Sequence, residues 1–273
     1  MVKPHSSDFS IDEIISSDKG VIFSPPKIST RVNIRLEEDQ TPFHWNGYKK
    51  GSAPERLGHV NLTGLKRTYA RCLDMPLRLA GEPTYSLPEE WLKFLPILQQ
   101  LTGVEHQHNP NWLEYNTYLT VDSKKVKVEE QQRHGGLHVD GFQGERINPK
   151  NKITRNYVMT TNGGTRFYPQ SFIVVDETKF NIFQGFDLQA KSFIVAEENV
   201  AYFMDAYTVH ESGIAVKAGL RTFLRLTYDV KKFDRVGNTH NSMLDYSWDM
   251  VDRKVHEMVL TPTLLDVENS PHK

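Results

Sequence analysis

The chain has 273 residues, 38% hydrophobic and 25% charged, which is ordinary globular usage and excludes a wholly disordered or fibrous protein. Its 33 Lys and Arg offset 34 Asp and Glu to give a net charge of -1, so the chain as a whole is no electrostatic trap for nucleic acid or an anionic membrane. A single cysteine, Cys72, excludes an internal disulfide and a multi-thiolate zinc site, so any metal must be held mainly by His, Asp and Glu. Cys72 itself reads as a small buried hydrophobe. No apolar run approaches the roughly 20 residues that span a bilayer, and Met1 to Ser10 lacks the apolar core of a secretory signal. The expectation is a soluble cytoplasmic protein with no membrane partner.

Residues 1 to 55 are polar and mixed, broken by Pro25-Pro26 and by Thr41 to Gly47, and read as an irregular approach segment. A helix follows. Ser86 can cap it, Pro88 sits in its first turn, and Glu89 completes a capping-box spacing. Trp91, Leu92, Phe94, Leu95, Leu98 and Leu101 recur at helical spacing, and Gly103 can end the element. Pro96 should kink or interrupt it. Its wide apolar face predicts packing on a sheet.

From residue 112 the texture changes to strands. Leu113 to Val121 is aromatic and β-branched, and Lys124 to Glu130 alternates charge with Val like a hairpin arm. Asn156 to Thr161, Ser171 to Val175, Ser192 to Ala196, Val200 to Asp205 and Leu220 to Val230 are further strands, separated by turn signals such as Asn162-Gly163-Gly164 and Glu197-Glu198-Asn199. Short strands at regular spacing predict a sandwich or barrel. Ser242 to Leu260 has helical composition. The expected organisation is one domain: support over 1–111, a β core over 112–232 and a helical extension over 233–273.

Eleven histidines must be sorted. His138 and Asp140 are two apart, so on an extended chain both point to one face and can bind one metal side by side. His210 ends the stretch VAYFMDAYTVH, 72 residues beyond His138, and is the best third ligand. Two His and one carboxylate with open positions form the facial triad of non-haem Fe(II) oxygenases. Arg221 and Arg225 follow His210 by 11 and 15 residues, and with Phe223 they share one strand face. Guanidinium groups inside a β core are costly unless they meet an anion, such as a dicarboxylate. His134 is four before His138, but Gly135 and Gly136 disfavour the helix a zinc pair needs. His106 and His108 have strand spacing but no carboxylate in register, and Asp205 lies at an odd offset from His210 and reads as structural.

An H-x-D, a distal His and an Arg on the strand soon after it resemble the signature of the Fe(II)/2-oxoglutarate-dependent oxygenase superfamily. Arg at both spacings looks most like its taurine-dioxygenase and phytanoyl-CoA-hydroxylase side. The resemblance covers residues 112 to 232. It implies a mainly β fold with α cover (α+β): a double-stranded β-helix, the jelly-roll or cupin-like core, with flanking helices. It implies that His138, Asp140 and His210 bind Fe(II), and that Arg221 pairs with the distal carboxylate of 2-oxoglutarate. Arg225 then assists Arg221 or binds an acidic group on the substrate. Thr165, after Gly163-Gly164, and Asn116 with Tyr118 on the strand before the H-x-D are further cosubstrate contacts. The implied cosubstrates are 2-oxoglutarate and O2, with ascorbate stimulatory and succinate and CO2 released. The implied reaction is hydroxylation of a small polar metabolite or amino acid. Three alternatives stand beside it: oxidative demethylation of nucleic acid or protein, a cupin-like metalloenzyme that needs no 2-oxoglutarate, and a non-catalytic binding protein.

Overall fold

The computed structural model describes residues 14–26, 53–60, 69–132, 137–140, 154–170, 173–174, 186–187 and 192–252. Two sheets make the core, and every strand pair within them is antiparallel. The larger has six strands. In spatial order they are β3 (Glu55–His59), β12 (Val200–Asp205), β7 (Arg155–Thr160), β14 (Gly219–Asp229), β6 (Asn116–Val126) and β4 (Arg71–Arg78). The smaller runs β11 (Ile194–Val195), β8 (Arg166–Phe167) and β13 (His210–Glu211), and a bridge from His210 to His138 extends it.

The chain alternates between these sheets. β6 lies in the large one, the His138 segment in the small, β7 in the large, β8 and β11 in the small, β12 in the large, β13 in the small and β14 in the large. That path is a double-stranded β-helix. A hairpin of β9 (Ile173–Val174) and β10 (Phe186–Asp187) interrupts it between β8 and β11.

The two faces of the large sheet have different fates. Along β14, Leu224, Leu226 and Tyr228 point outward into a core with Leu119, Val121, Tyr157, Met159 and Phe203. Ile97, Leu98, Leu101 and Val104 of helix α1 (Leu95–His108) cover them. A third sheet of β1 (Ile14–Ser17), β2 (Gly20–Phe23) and β5 (Tyr85–Pro88) adds Phe23, Tyr85 and Leu87 to that layer. The opposite face looks into the barrel. There Val158, Val200, Tyr202, Met204 and Phe223 of the large sheet meet Phe167 and Ala196 of the small one. At about 1.5–3 kcal/mol per fully buried large apolar side chain, both layers are needed to hold the sheets together.

One buried polar cluster ties α1 to the sheet. Glu105, on the apolar face of α1, is fully buried. It accepts two hydrogen bonds from Arg155 Nε, at 2.8 and 3.0 Å, one from Asn109 Nδ2 at 2.6 Å and one from the Tyr157 hydroxyl.

Several expectations change here. The helix does not begin at Ser86, which lies in β5. A 3-10 turn over Glu89–Phe94 follows, and α1 begins at Leu95. Pro96 therefore falls in the first turn of α1, where its missing N–H costs nothing, and it restarts the helix rather than kinking it. Gly103 does not end α1. It is buried mid-helix, and the element runs on to His108. The expected core also grows, because β3 and β4 from the first 111 residues flank it. The part of Ser242 to Leu260 that is described, 242–252, is not helical. Val251 N–H donates to Asp234 O instead, and just before the segment the buried side chain of Asn241 donates from Nδ2 to Pro76 O and Ser86 O. Residues 27–52, His134, 141–153 and 253–260 lie outside the described residues.

His106 and His108 do not gather a metal site among the described residues. His106 stacks on Trp112 with ring centroids 3.4 Å apart, and its Nε2 lies 3.1 Å from the Tyr85 hydroxyl. Burial, helped by the Arg78 guanidinium, pushes its pKa down to about 3. Below its ordinary value the unfolded chain then binds the extra proton and the folded chain does not. Stability therefore falls as pH drops from about 6.5, by up to about 1.4 kcal/mol per pH unit for this group. Urea midpoints between pH 7.5 and 5 should show the decline, with a shallower slope in His106→Gln. An unchanged slope in the variant would remove His106 as its source.

Candidate metal centre

The H-x-D segment enters the barrel beside β13. His138 N–H donates to His210 O at 2.9 Å and His210 N–H donates to His138 O at 2.8 Å, a close antiparallel pair. That pairing puts both rings on one face, with centroids 4.3 Å apart. Asp140, two residues on, returns to the same face. One ligand atom from each of His138, Asp140 and His210 lies within 4.8 Å of the others.

The turn before β13 sets the tautomer of His210. Asp205 accepts hydrogen bonds from Tyr207 N–H at 2.8 Å and Thr208 Oγ1 at 3.1 Å, so it is structural, as expected. The turn aims Thr208 O at His210 Nδ1, 3.0 Å away. Nδ1 therefore carries the proton, and the bare Nε2 faces Asp140 Oδ2 at 3.8 Å. Burial and the neighbouring His138 push the His210 pKa down to about 4, against the pull of Asp140. Burial alone would raise Asp140, but Arg225 and the two imidazoles hold it well below the usual carboxylate range. At neutral pH His210 is a neutral imidazole and Asp140 an anion, the forms that bind metal.

Arg225 stands behind the carboxylate. Its Nη1 donates to Asp140 Oδ2 at 2.7 Å, and its Nη2 donates to Asp74 Oδ1 at 3.0 Å. Asp74 is held in turn, because Thr120 Oγ1 donates to Asp74 Oδ1 at 2.7 Å and accepts from Asp74 N–H at 3.1 Å. Asp74 has a φ of 45° in a bulge of β4 between Cys72 and Met75. The bulge turns its side chain inward toward Thr120. The spacing leaves Arg225 open to an anionic ligand or to a structural ion pair. In the structure both of its terminal nitrogens serve Asp140 and Asp74, and Asp74 carried no strand signal that could have found it. Asp74→Asn tolerates the same backbone but loosens Arg225 and hence Asp140. Metal affinity should fall about 10- to 100-fold, the range for outer-shell partners. Unchanged affinity by calorimetry would mean that Asp140 does not depend on this chain of contacts.

The other predicted residues divide. Arg221 is buried on the same inner face as Arg225, four residues nearer the start of β14. It donates from Nε to Asn162 O at 2.6 Å, from Nη2 to Gly163 O at 2.9 Å and from Nη1 to Gln132 Oε1. The buried Thr165 lies just beyond that run. Close packing explains the glycines there. A Cβ on Gly164 would lie 1.7 Å from Ala196 O, and one on Gly213 would lie 1.7 Å from Gly164 O. Gly164→Ala should cost at least about 1–3 kcal/mol, the range for overpacking, and lower the urea midpoint. Asn116 and Tyr118 face the far end of the same surface. Asn116 Nδ2 and the Tyr118 hydroxyl both donate to Lys231 O, at 3.2 and 2.6 Å, and Tyr118 stacks on Phe233. Cys72 is buried, with its thiol pushed up to about 12 by burial.

Comparison with known proteins gives distant likenesses only. No family model matches the chain, and no curated protein matches it. Among solved structures, EvdO2 from Micromonospora carbonacea var. aurantiaca aligns with a TM-score of 0.42 at 13% identity, over 79% of this chain and 99% of that one. The same protein complexed with 2-oxoglutarate aligns with a TM-score of 0.35 at 12% identity, over 63% and 83%. The truncated viral collagen prolyl hydroxylase vCPH from Paramecium Bursaria Chlorella virus-1 aligns with a TM-score of 0.30 at 16% identity, over 53% and 70%.

Proposed function

We propose that the chain is an Fe(II)- and 2-oxoglutarate-dependent oxygenase that hydroxylates an unactivated C–H bond of a small polar metabolite or amino acid. The observation that carries this is the convergence of His138, Asp140 and His210 inside the barrel, with their ligand atoms within 4.8 Å of one another. Two imidazoles and one carboxylate suit Fe(II) and leave positions for oxygen ligands. The surroundings suit an anionic cosubstrate. Arg221 is buried on the inner face, and Arg225 Nε is a buried donor without an acceptor among the described residues.

When bound there, Fe(II) with 2-oxoglutarate and O2 supplies C–H hydroxylation coupled to release of succinate and CO2. The chain supplies the rest. His210 offers Nε2 because Thr208 O holds its other nitrogen. Arg225 fixes the Asp140 carboxylate by a charge-assisted bond. Arg221, by exchanging its terminal-nitrogen bonds to Gly163 O and Gln132 Oε1, and Thr165 would receive the distal carboxylate of 2-oxoglutarate. Val158, Phe167, Tyr202 and Met204 keep the barrel interior dry.

Thermal denaturation tests the assignment. Fe(II) should raise the melting temperature of the native chain, and 2-oxoglutarate should raise it further only when Fe(II) is present, as ligands of the folded state must. Asp140→Ala should lose both shifts. A 2-oxoglutarate shift that persists in Asp140→Ala without metal would contradict it.

A further inference from the structure

We propose that the cleft on the paired strands β4 and β6, walled by Gln131 and Gln132, binds the α-ammonium and α-carboxylate of a free amino acid, through Asp122 and Arg71. The cleft has a volume of about 390 Å³ and is lined by Arg71, Thr120, Asp122, Gln131 and Gln132 among others. That is within the range of small-molecule sites and ample for an amino acid. The proposal rests on the oxygenase assignment for its role as a substrate site, but the binding it describes does not.

Register places the two charges. Arg71 of β4 is the direct partner of Asp122 of β6. Directly opposite residues of an antiparallel pair point to the same face, with Cβ atoms about 4.5–5.5 Å apart. That face is the inner one, because Asp122 pairs with Phe223 and Thr120 pairs with Arg225 on β14. Opposite charges so placed ordinarily join. Here neither side chain makes an ion pair or a side-chain hydrogen bond to any described residue. A guanidinium and a carboxylate rising from paired positions offer the complements of the two charges that an α-amino acid carries around one carbon. A plain dicarboxylate would be repelled by Asp122, and a plain amine by Arg71.

Other groups near the triad leave this role to the cleft. Arg225 gives both terminal nitrogens to Asp140 and Asp74, so it cannot grip a substrate carboxylate with that pair. Gln132 is committed as well: its Nε2 donates to Asp122 O at 2.6 Å and its Oε1 accepts from Arg221. It anchors the wall of the cleft and leaves the Asp122 carboxylate clear.

The direction of the strand then orients the ligand. Thr120 lies two residues from Asp122 on the same face, about 7 Å along β6. It leads through Asp74 and Arg225 to Asp140. A ligand held by its α-groups at Asp122 and Arg71, with its side chain running past Thr120, would bring a side-chain carbon rather than Cα toward the triad.

Calorimetric titration of the full chain with the twenty free L-amino acids, each beside its N-acetyl derivative and its amide, tests this. At least one free amino acid should bind, and either blocking group should weaken it 10-fold or more. Asp122→Asn and Arg71→Gln should each weaken it 10-fold or more. Equal binding of free and blocked forms, no binding of any free amino acid, or unaltered binding in both variants would overturn the proposal. Displacement of the amino acid by 2-oxoglutarate, with tighter 2-oxoglutarate binding in Asp122→Asn, would also overturn it and give the cleft to the cosubstrate. Loss of the Fe(II)-dependent 2-oxoglutarate shift in native protein that still binds amino acids would instead overturn the oxygenase assignment alone.

Discussion

Asp140→Ala should abolish Fe(II) binding at micromolar metal and lower any succinate formation by more than about 100-fold, beyond the range for outer-shell partners. The size follows from two losses at one position. The site loses its only anionic ligand of the three, leaving two imidazoles. It also keeps Arg225, whose Nη1 then lacks the Asp140 oxygen at 2.7 Å and turns a guanidinium half-compensated by Asp74 toward the centre. Asp140→Glu restores the charge but shifts it, because its extra methylene moves the carboxylate from the place where one oxygen lies 2.7 Å from Arg225 Nη1 and 3.8 Å from His210 Nε2, and its affinity should fall between those of the native protein and Asp140→Ala. Anaerobic calorimetry with Fe(II) checks both variants. Native-like affinity in Asp140→Ala would place the metal elsewhere.

Arg155→Met should destabilise the fold by about 3–5 kcal/mol without touching the triad, because it leaves the Glu105 carboxylate buried without its cation. Glu105 is fully buried, and Arg155 reaches it with two hydrogen bonds at 2.8 and 3.0 Å. Asn109 and Tyr157 remain as donors but carry no charge. Adding Glu105→Leu to Arg155→Met should recover much of the loss, since an apolar pair can replace a buried ion pair. Urea denaturation of the two single variants and the double gives the coupling. A loss below 1 kcal/mol in Arg155→Met would show that Glu105 is not held as a buried anion.

Local patterns in the sequence carried the barrel well. Val200 to Asp205 is β12 to the residue, because its apolar run is bounded by turn residues on both sides. The face shared by Arg221, Phe223 and Arg225 is the inner face, since alternation in β14 is uninterrupted. His138 and Asp140 reach one face for the same reason. Long-range contacts were not legible. Nothing near Asp74 announces a bulge, and only the pairing of β4 with β6 turns that side chain toward Arg225. The anchoring of Asn116 and Tyr118 depends on Lys231 O, over 110 residues away. The tail composition favoured helix, yet Asn241 and Val251 find better partners across the chain. Pro96 was read as a break because its position within a turn depends on where the helix starts.

The most direct test of the account is succinate formation from 2-oxoglutarate, measured with Fe(II), ascorbate and O2 in native protein and in His138→Ala. The account predicts slow O2-dependent succinate release in the native protein even without substrate, and none above background in the variant. Succinate at equal rates in both proteins, or none from native protein shown by calorimetry to hold Fe(II) and 2-oxoglutarate, would contradict it.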